Sequence, residues 1–187
     1  MGRNGVKQAC IITIGDELLQ GYTIDTNSAW LGKKLNNYNI RVQRKVTIAD
    51  ELDVIQYELS RALDKFDLVF VTGGLGPTLD DVTQNAIKNI LGADLEFDEN
   101  YYTELEQKFA VRKMDMPPNN SSQAMVVVGT KVITNTLGTA RGIHIEKGEK
   151  HLFSMPGVPA EMKGMFNEYI AENYLPNVKK ESIALIR

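Results

Sequence analysis

Cysteine is nearly missing from this sequence: among 187 residues only Cys10 carries a thiol, so no intramolecular disulfide can form. Histidine is almost as scarce, with His144 and His151 alone. One thiol and two imidazoles do not fill a Cys/His zinc cluster of usual spacing, and a reducing compartment fits. Positive charge is not in surplus either. Lys and Arg number 21 against 24 Asp and Glu, a net charge of −3, which removes the basic footprint needed to grip a long phosphate backbone. No apolar run approaches the roughly 18 residues that would suggest a membrane span. The opening MGRNGVKQA passes into a strand-like run without a signal-peptide core. The expectations are therefore no nucleic-acid partner, no membrane and a cytoplasmic location. Internal repeats, low-complexity tracts, a Ser/His/Asp nucleophile spacing and the Gly-Lys-Ser/Thr of a Walker A loop are also absent, which sets aside ordinary NTPase chemistry.

What is present is a globular balance, 43% hydrophobic and 24% charged. The length suits one domain, taken as residues 8–175, with 1–7 and 176–187 as tails. Strand and helix patterns alternate, which normally yields a parallel sheet with helices on both faces. Residues 9–14 read as a strand and 26–37 as a helix with Leu31 and Leu35 on one face, capped by Asp25 or Thr26. Residues 40–46 read as a second strand. Asp50 is a plausible N-cap for a helix whose stripe is Ile55, Leu59, Ala62 and Leu63. The short apolar run at 67–72 is of the fully buried kind expected for a central parallel strand. Val82, Ala86, Ile87, Ile90 and Leu91 then form a helical face closed by Gly92. A helix over 99–113, a loop over 115–122, short strands around Val126, Val132, Ile143 and Leu152, and a helix from Pro159 burying Met162, Met165, Phe166 and Ile170 complete the chain. A hairpin is expected at Lys147-Gly148-Glu149.

Chemistry in an open α/β sheet sits beyond the carboxyl ends of its strands. Three such loops stand out. The first, GGLGPTLDD at 73–81, places Gly73, Gly74 and Gly76 where backbone can approach an anion, with Asp80 and Asp81 as metal ligands or as plain helix caps. The second, GDELLQG at 15–21, puts Asp16 and Glu17 directly after a strand. Two carboxylates there would repel a phosphate unless a hard divalent cation lay between, so magnesium or manganese is expected, with cobalt as a third option; a turn with solvated charges is the alternative. The third, around Pro156 and Gly157, again joins a strand to a helix start, although Pro-Gly is also ordinary turn punctuation. His144 reads as a solvent-facing or satisfied histidine, Trp30 as core or, with Tyr22, a base-stacking surface, and Cys10 as inert.

Taken together and in order, GDELLQG with DTN, TGGLGPTLDD, PNNSSQA, GTARG and MPGVPAEM resemble the N-terminal domain of the CinA (competence/damage-inducible protein A) family over residues 9–174. The resemblance implies a three-layer α/β/α domain around a mostly parallel sheet, of the molybdopterin-binding kind known from molybdenum-cofactor biosynthesis. It also implies metal-dependent ADP-ribose pyrophosphatase activity giving AMP and ribose 5-phosphate. Molybdopterin binding with adenylyl transfer, or a nucleotide-binding regulatory module without turnover, are the alternatives. The implied ligand is a nucleotide or pterin phosphate, and the implied assembly a homo-oligomer. In this picture Gly73, Gly74 and Gly76 hold a phosphate, with Thr78, Asn119, Asn135, Arg141, Pro156 and Gly157 as further contacts. Asp81, Asp16 and Asp80 hold the ion, and Glu17 or Asp50 takes a proton, with Asp81 between metal and chemistry. Longer members add a nicotinamide-mononucleotide deamidase domain, and the strand-like closing IALIR suggests a piece of such a protein. One residue departs from the pattern: Arg141 stands where the family shows proline. Its planar fork suits a pyrophosphate oxygen; a solvated surface arginine is the other reading.

Overall fold

A stretch such as 9–14, apolar but for Thr13, has no polar face to offer water, so it must be covered from both sides. The computed structural model, which describes residues 6–77 and 82–175, does this by placing strand β1 (Gln8–Ile14) inside a six-stranded sheet. Its parallel partners are β2 (Arg41–Ile48) on one side and β3 (Leu68–Thr72) on the other. β4 (Leu95–Phe97) and β5 (Met125–Val127) form a separate antiparallel pair. β6 (Lys131–Ile133), β7 (Gly142–Lys147) and β8 (Lys150–Met155) complete the large sheet, in the order β2-β1-β3-β8-β7-β6. β8 runs parallel to β3, while β7 pairs antiparallel with both β8 and β6. The expected three-layer, mostly parallel architecture is therefore present.

Alternation along β1 divides the core in two. Cys10, Ile12 and Ile14 join Val69, Val71, α3 (Leu52–Lys65) and α4 (Thr83–Leu91) on one face. Ala9 and Ile11 join Phe70, Phe153, α2 (Thr26–Asn37) and the C-terminal helix on the other. That last helix, α6 (Pro159–Met165), continues as a π-helical stretch over Phe166–Ala171 and buries Met162, Met165, Phe166 and Ile170, the four residues its spacing predicts. Each such fully buried side chain contributes roughly 1.5–3 kcal/mol. Cys10 is buried and desolvation pushes its thiol up to about 11, so it is an unreactive core residue. Among the described residues no helix is long and apolar enough to cross a membrane.

Several local expectations change. Asp25 caps α2 by accepting the Ser28 N–H at 2.8 Å, as expected, but Asp50 does not cap α3; Glu51 occupies that position and Asp50 turns toward the glycine loop instead. Leu91 stays 37% exposed because α4 ends there at left-handed Gly92. The helix expected over 99–113 is α5 (Glu99–Val111), and the stretch read as loop is partly a 3-10 helix, Pro118–Ala124. The strand around Val126 does not enter the large sheet. It pairs with β4, whose three residues carry too short a pattern to detect.

α5 is tied to the sheet through polar contacts. Asp98 caps it, accepting the Tyr101 N–H at 3.0 Å, and also accepts Nη1 of Arg141 at 2.6 Å. The Tyr101 amide, followed by the Arg141 guanidinium, holds the Asp98 carboxyl below the usual carboxylate range. A carboxylate with a depressed folded value stabilises the protein above its unfolded value, near 3.9, and that stabilisation disappears as pH falls through the folded value. The melting temperature of the wild type should therefore exceed that of Asp98→Asn at neutral pH, with the gap closing as the buffer is taken below about pH 4. A gap unchanged down to pH 2.5 would remove Asp98 from acid sensitivity.

Candidate functional site

β1 connects outward to β2, whereas β3 connects toward the other side of the sheet, so strand order reverses between β1 and β3. At such a reversal the two following loops diverge and leave a crevice. Here it is a cavity of about 530 Å³ lined by Ile14 and Glu17 after β1, Asp50 after β2, the 73–77 glycine turn after β3, and Pro156, Gly157 and Val158 after β8. Gln123, Thr139, Ala140 and Glu161 close the far wall. A second cavity of about 250 Å³ adjoins it across Gly74, Leu75, Gly76 and Gln123, and is bordered by Arg141 and the β4–β5 pair.

The glycine turn is shaped by close approach. Gly73 has φ +113 and Gly74 φ +65, and a Cβ on either would come within 2.1 Å of Ile14 O or Thr83 Oγ1. Gly73 N–H continues the sheet ladder by donating to Met155 O at 3.1 Å. This corrects the expectation that Gly73 offers its N–H to a phosphate. The N–H of Gly74 has no hydrogen-bond partner among the described residues. Beneath the turn, Thr72 Oγ1 donates to Pro156 O at 2.8 Å, and Asn27 Nδ2 donates to Thr72 Oγ1 at 3.0 Å and Gly157 O at 2.8 Å. Asn27 thus locks three strand-end loops together. Its Oδ1 is buried with no partner among the described residues, in a groove shared with Thr13, Glu17, Asp25 and Gly157.

Electrostatically the larger cavity is one-sided. Glu17, Asp50 and Glu161 line it, and its described lining contains no Lys, Arg or His. Their oxygens do not converge within 4.8 Å of one another, so an ion held there would take ligand or water oxygens as well. The donor set is oxygen only, which fits a hard divalent cation.

The structure brings Gly73, Gly74, Gly76, Glu17, Asp50, Pro156 and Gly157 into one cavity. Thr78, Asp80 and Asp81 lie outside the described residues. Asp16 is exposed on the short helix α1 (Asp16–Leu19) and lines neither cavity; its neighbour Glu17 does. Asn119 is exposed on the 3-10 helix, its carbonyl accepting Ser122 Oγ. Asn135 is buried but organises its own loop: Oδ1 accepts the N–H groups of Leu137 and Gly138, and Nδ2 donates to Ala140 O and Glu161 Oε2. It sets the position of Glu161, and its own donors are engaged. Arg141 borders the smaller cavity with its side chain 10% exposed, but its guanidinium is engaged by Asp98, by the carbonyls of Gln123 and Ala124, and by the Tyr101 ring at 3.8 Å. It is neither a solvated surface arginine nor a free anion donor. Asn27 and Glu161 were absent from the expected set, although DTN and PAEM in the quoted motifs contain them.

A family described as "Probable molybdopterin binding domain" matches residues 10–177. CinA-like proteins of Thermosipho melanesiensis and Chlorobaculum tepidum are 39% and 40% identical over 87% and 90% of this chain, which covers 41% of each. The chain thus spans under half the length of these curated relatives. The crystal structure of the protein CinA from Thermoplasma acidophilum is similar at a TM-score of 0.81 and 34% identity, over 89% of this chain and 97% of that one. A molybdopterin biosynthesis protein from Mycobacterium abscessus shares the fold at a TM-score of 0.60 and 18% identity, over 90% and 92% of the two chains.

Proposed function

Because the chain belongs to the molybdopterin-binding-domain family and, within it, to the CinA-like proteins, we propose that its larger cavity binds a phosphorylated pterin or nucleotide together with a divalent cation. The observation that carries this reading is the pairing of a glycine turn at the β1/β3 reversal with three carboxylates and, among the described lining residues, no Lys, Arg or His. A phosphate entering such a lining meets net repulsion unless a cation accompanies it. Glu17 and Asp50, with Asp81 from the same loop sequence, would hold magnesium, manganese or cobalt. Such an ion, when bound, supplies charge neutralisation at the phosphoryl oxygens and a lowered pKa for a coordinated water. Asn27 Oδ1 adds a buried acceptor beside Glu17.

The carboxylates also favour a second reading, hydrolysis of a nucleoside-diphosphate sugar such as ADP-ribose. Water adds across the pyrophosphate, giving AMP and ribose 5-phosphate, and Glu17 or Asp50 accepts the water's proton. Calorimetry with AMP, ADP-ribose and molybdopterin, with and without each cation, tests the first reading, and release of AMP from ADP-ribose tests the second. Binding is expected only with a divalent ion, with Glu17→Gln and Asp50→Asn each weakening it about tenfold or more, some 1.4 kcal/mol. Equal affinity in excess EDTA would overturn the metal-assisted reading. Absence of AMP from a protein that binds would reject hydrolysis alone. A homo-oligomeric state belongs to the same proposal and is read by light scattering.

A further inference from the structure

The β7–β8 hairpin assembles a second group of ligands at the other end of the sheet from the glycine turn. Glu146 lies opposite His151 in the antiparallel register, and His144, two residues before Glu146, shares its face. Tight reversal at Gly148, with φ +63, is what brings two histidines seven positions apart together. His144 Nε2 lies 3.0 Å from His151 Nδ1, and the ligand atoms of His144, His151 and Glu146 all fall within 4.8 Å of one another. His151 is the second residue of β8 and the cleft lies beyond Met155 at its end, roughly 13 Å further along the strand. Nothing in the proposed function uses these residues.

We infer that His144, His151 and Glu146 form a binding site for a borderline divalent transition-metal ion, zinc foremost. Two imidazole nitrogens and one carboxylate oxygen are the donor types such ions prefer, with a fourth position left for water. Tetrahedral zinc with bonds of about 2.05 Å separates its ligand atoms by about 3.3 Å, so the two nitrogens need open by only a few tenths of an ångström. Burial disfavours the protonated form of both imidazoles. The surroundings already orient them. His144 Nδ1 lies 3.2 Å from Tyr169 Oη, which lies 3.2 Å from Tyr174 Oη, and His144 stacks on Phe153. With Nδ1–H donated to Tyr169, the Nε2 lone pair faces His151, the outer-shell arrangement that fixes a ligand tautomer. His144 is fully buried while Glu146 is exposed and His151 partly so, leaving one side open for an ion to enter. Lys131 opposes binding: it faces His144 from β6 and pairs with Glu146.

The test uses untagged, chelator-stripped protein titrated with Zn²⁺ by calorimetry and with Co²⁺ by visible absorption. With no phosphate ligand in solution, one ion per chain is expected. His151→Gln and Glu146→Gln, both at accessible positions, should weaken it at least tenfold with melting temperatures of the ion-free proteins near wild type. Tyr169→Phe should weaken it roughly tenfold through lost orientation, and Lys131→Gln should strengthen it by freeing Glu146. Glu17→Gln and Asp50→Asn should leave it unchanged, which separates this site from the cleft. No bound zinc at 100 µM ion, or binding undiminished in His151→Gln, would overturn the assignment.

Discussion

Gly73→Ala is expected to lower stability by about 4 kcal/mol, from roughly 1–3 for a backbone that L residues avoid and roughly 1–3 for steric overlap. The residue has φ +113, and its new methyl would lie 2.1 Å from the carbonyl oxygen of Ile14. Neither partner can yield easily. Ile14 ends the central strand β1, and Gly73 itself is held to Met155 through its N–H. Relief requires spreading β1 from β3, which would also open the floor of the cleft. In a protein of this size the melting temperature should fall by about 8–16 °C. Gly148→Ala is the control, because that glycine also has positive φ (+63) but nothing within 4 Å of an added Cβ. It should lose only about 1–2 kcal/mol, the backbone part alone. Equal melting temperatures for the two variants would show that the contact with Ile14 relaxes freely and that the strand ends are softer than this geometry requires.

Arg141→Ala is expected to destabilise the protein by about 2–4 kcal/mol, combining a charge-assisted pair with stacking on an aromatic ring, while leaving affinity for ADP-ribose within about twofold, under 0.5 kcal/mol. The guanidinium joins the N-cap of α5 to the 3-10 helix carbonyls of Gln123 and Ala124 and lies 3.8 Å above Tyr101, whose hydroxyl in turn donates to Thr139 O. Proline at this position would hold the turn by its fixed φ; arginine holds it by contacts with α5. A double-mutant cycle with Asp98→Asn should give a coupling energy of about 1–3 kcal/mol. A tenfold loss of ligand affinity with unchanged stability would reverse the argument and make Arg141 a ligand contact.

The sequence alone determined whatever depends on near neighbours. Periodicity placed β1, β3, α2, α3 and the buried face of α6, because burial demands repeat every two or 3.6 residues. Asp25 was legible as a cap since its partner Ser28 is three residues away, and Gly92 as a stop since left-handed backbone favours glycine. The ordered loop motifs also marked the cleft, because in a parallel sheet loops that follow strands share one end. Tertiary structure decided which groups in those loops remain available. Gly73 N–H, Asn135 and Arg141 each read as a ligand contact, yet their partners are Met155, Glu161 and Asp98, distant in sequence and brought close only by folding. Asn27 and Glu161 emerged in the opposite way, from positions opposite loops more than 20 residues away. The pairing of His144 with His151 is of the same kind. Neither residue announces it, and only the antiparallel register of one hairpin sets their nitrogens 3.0 Å apart.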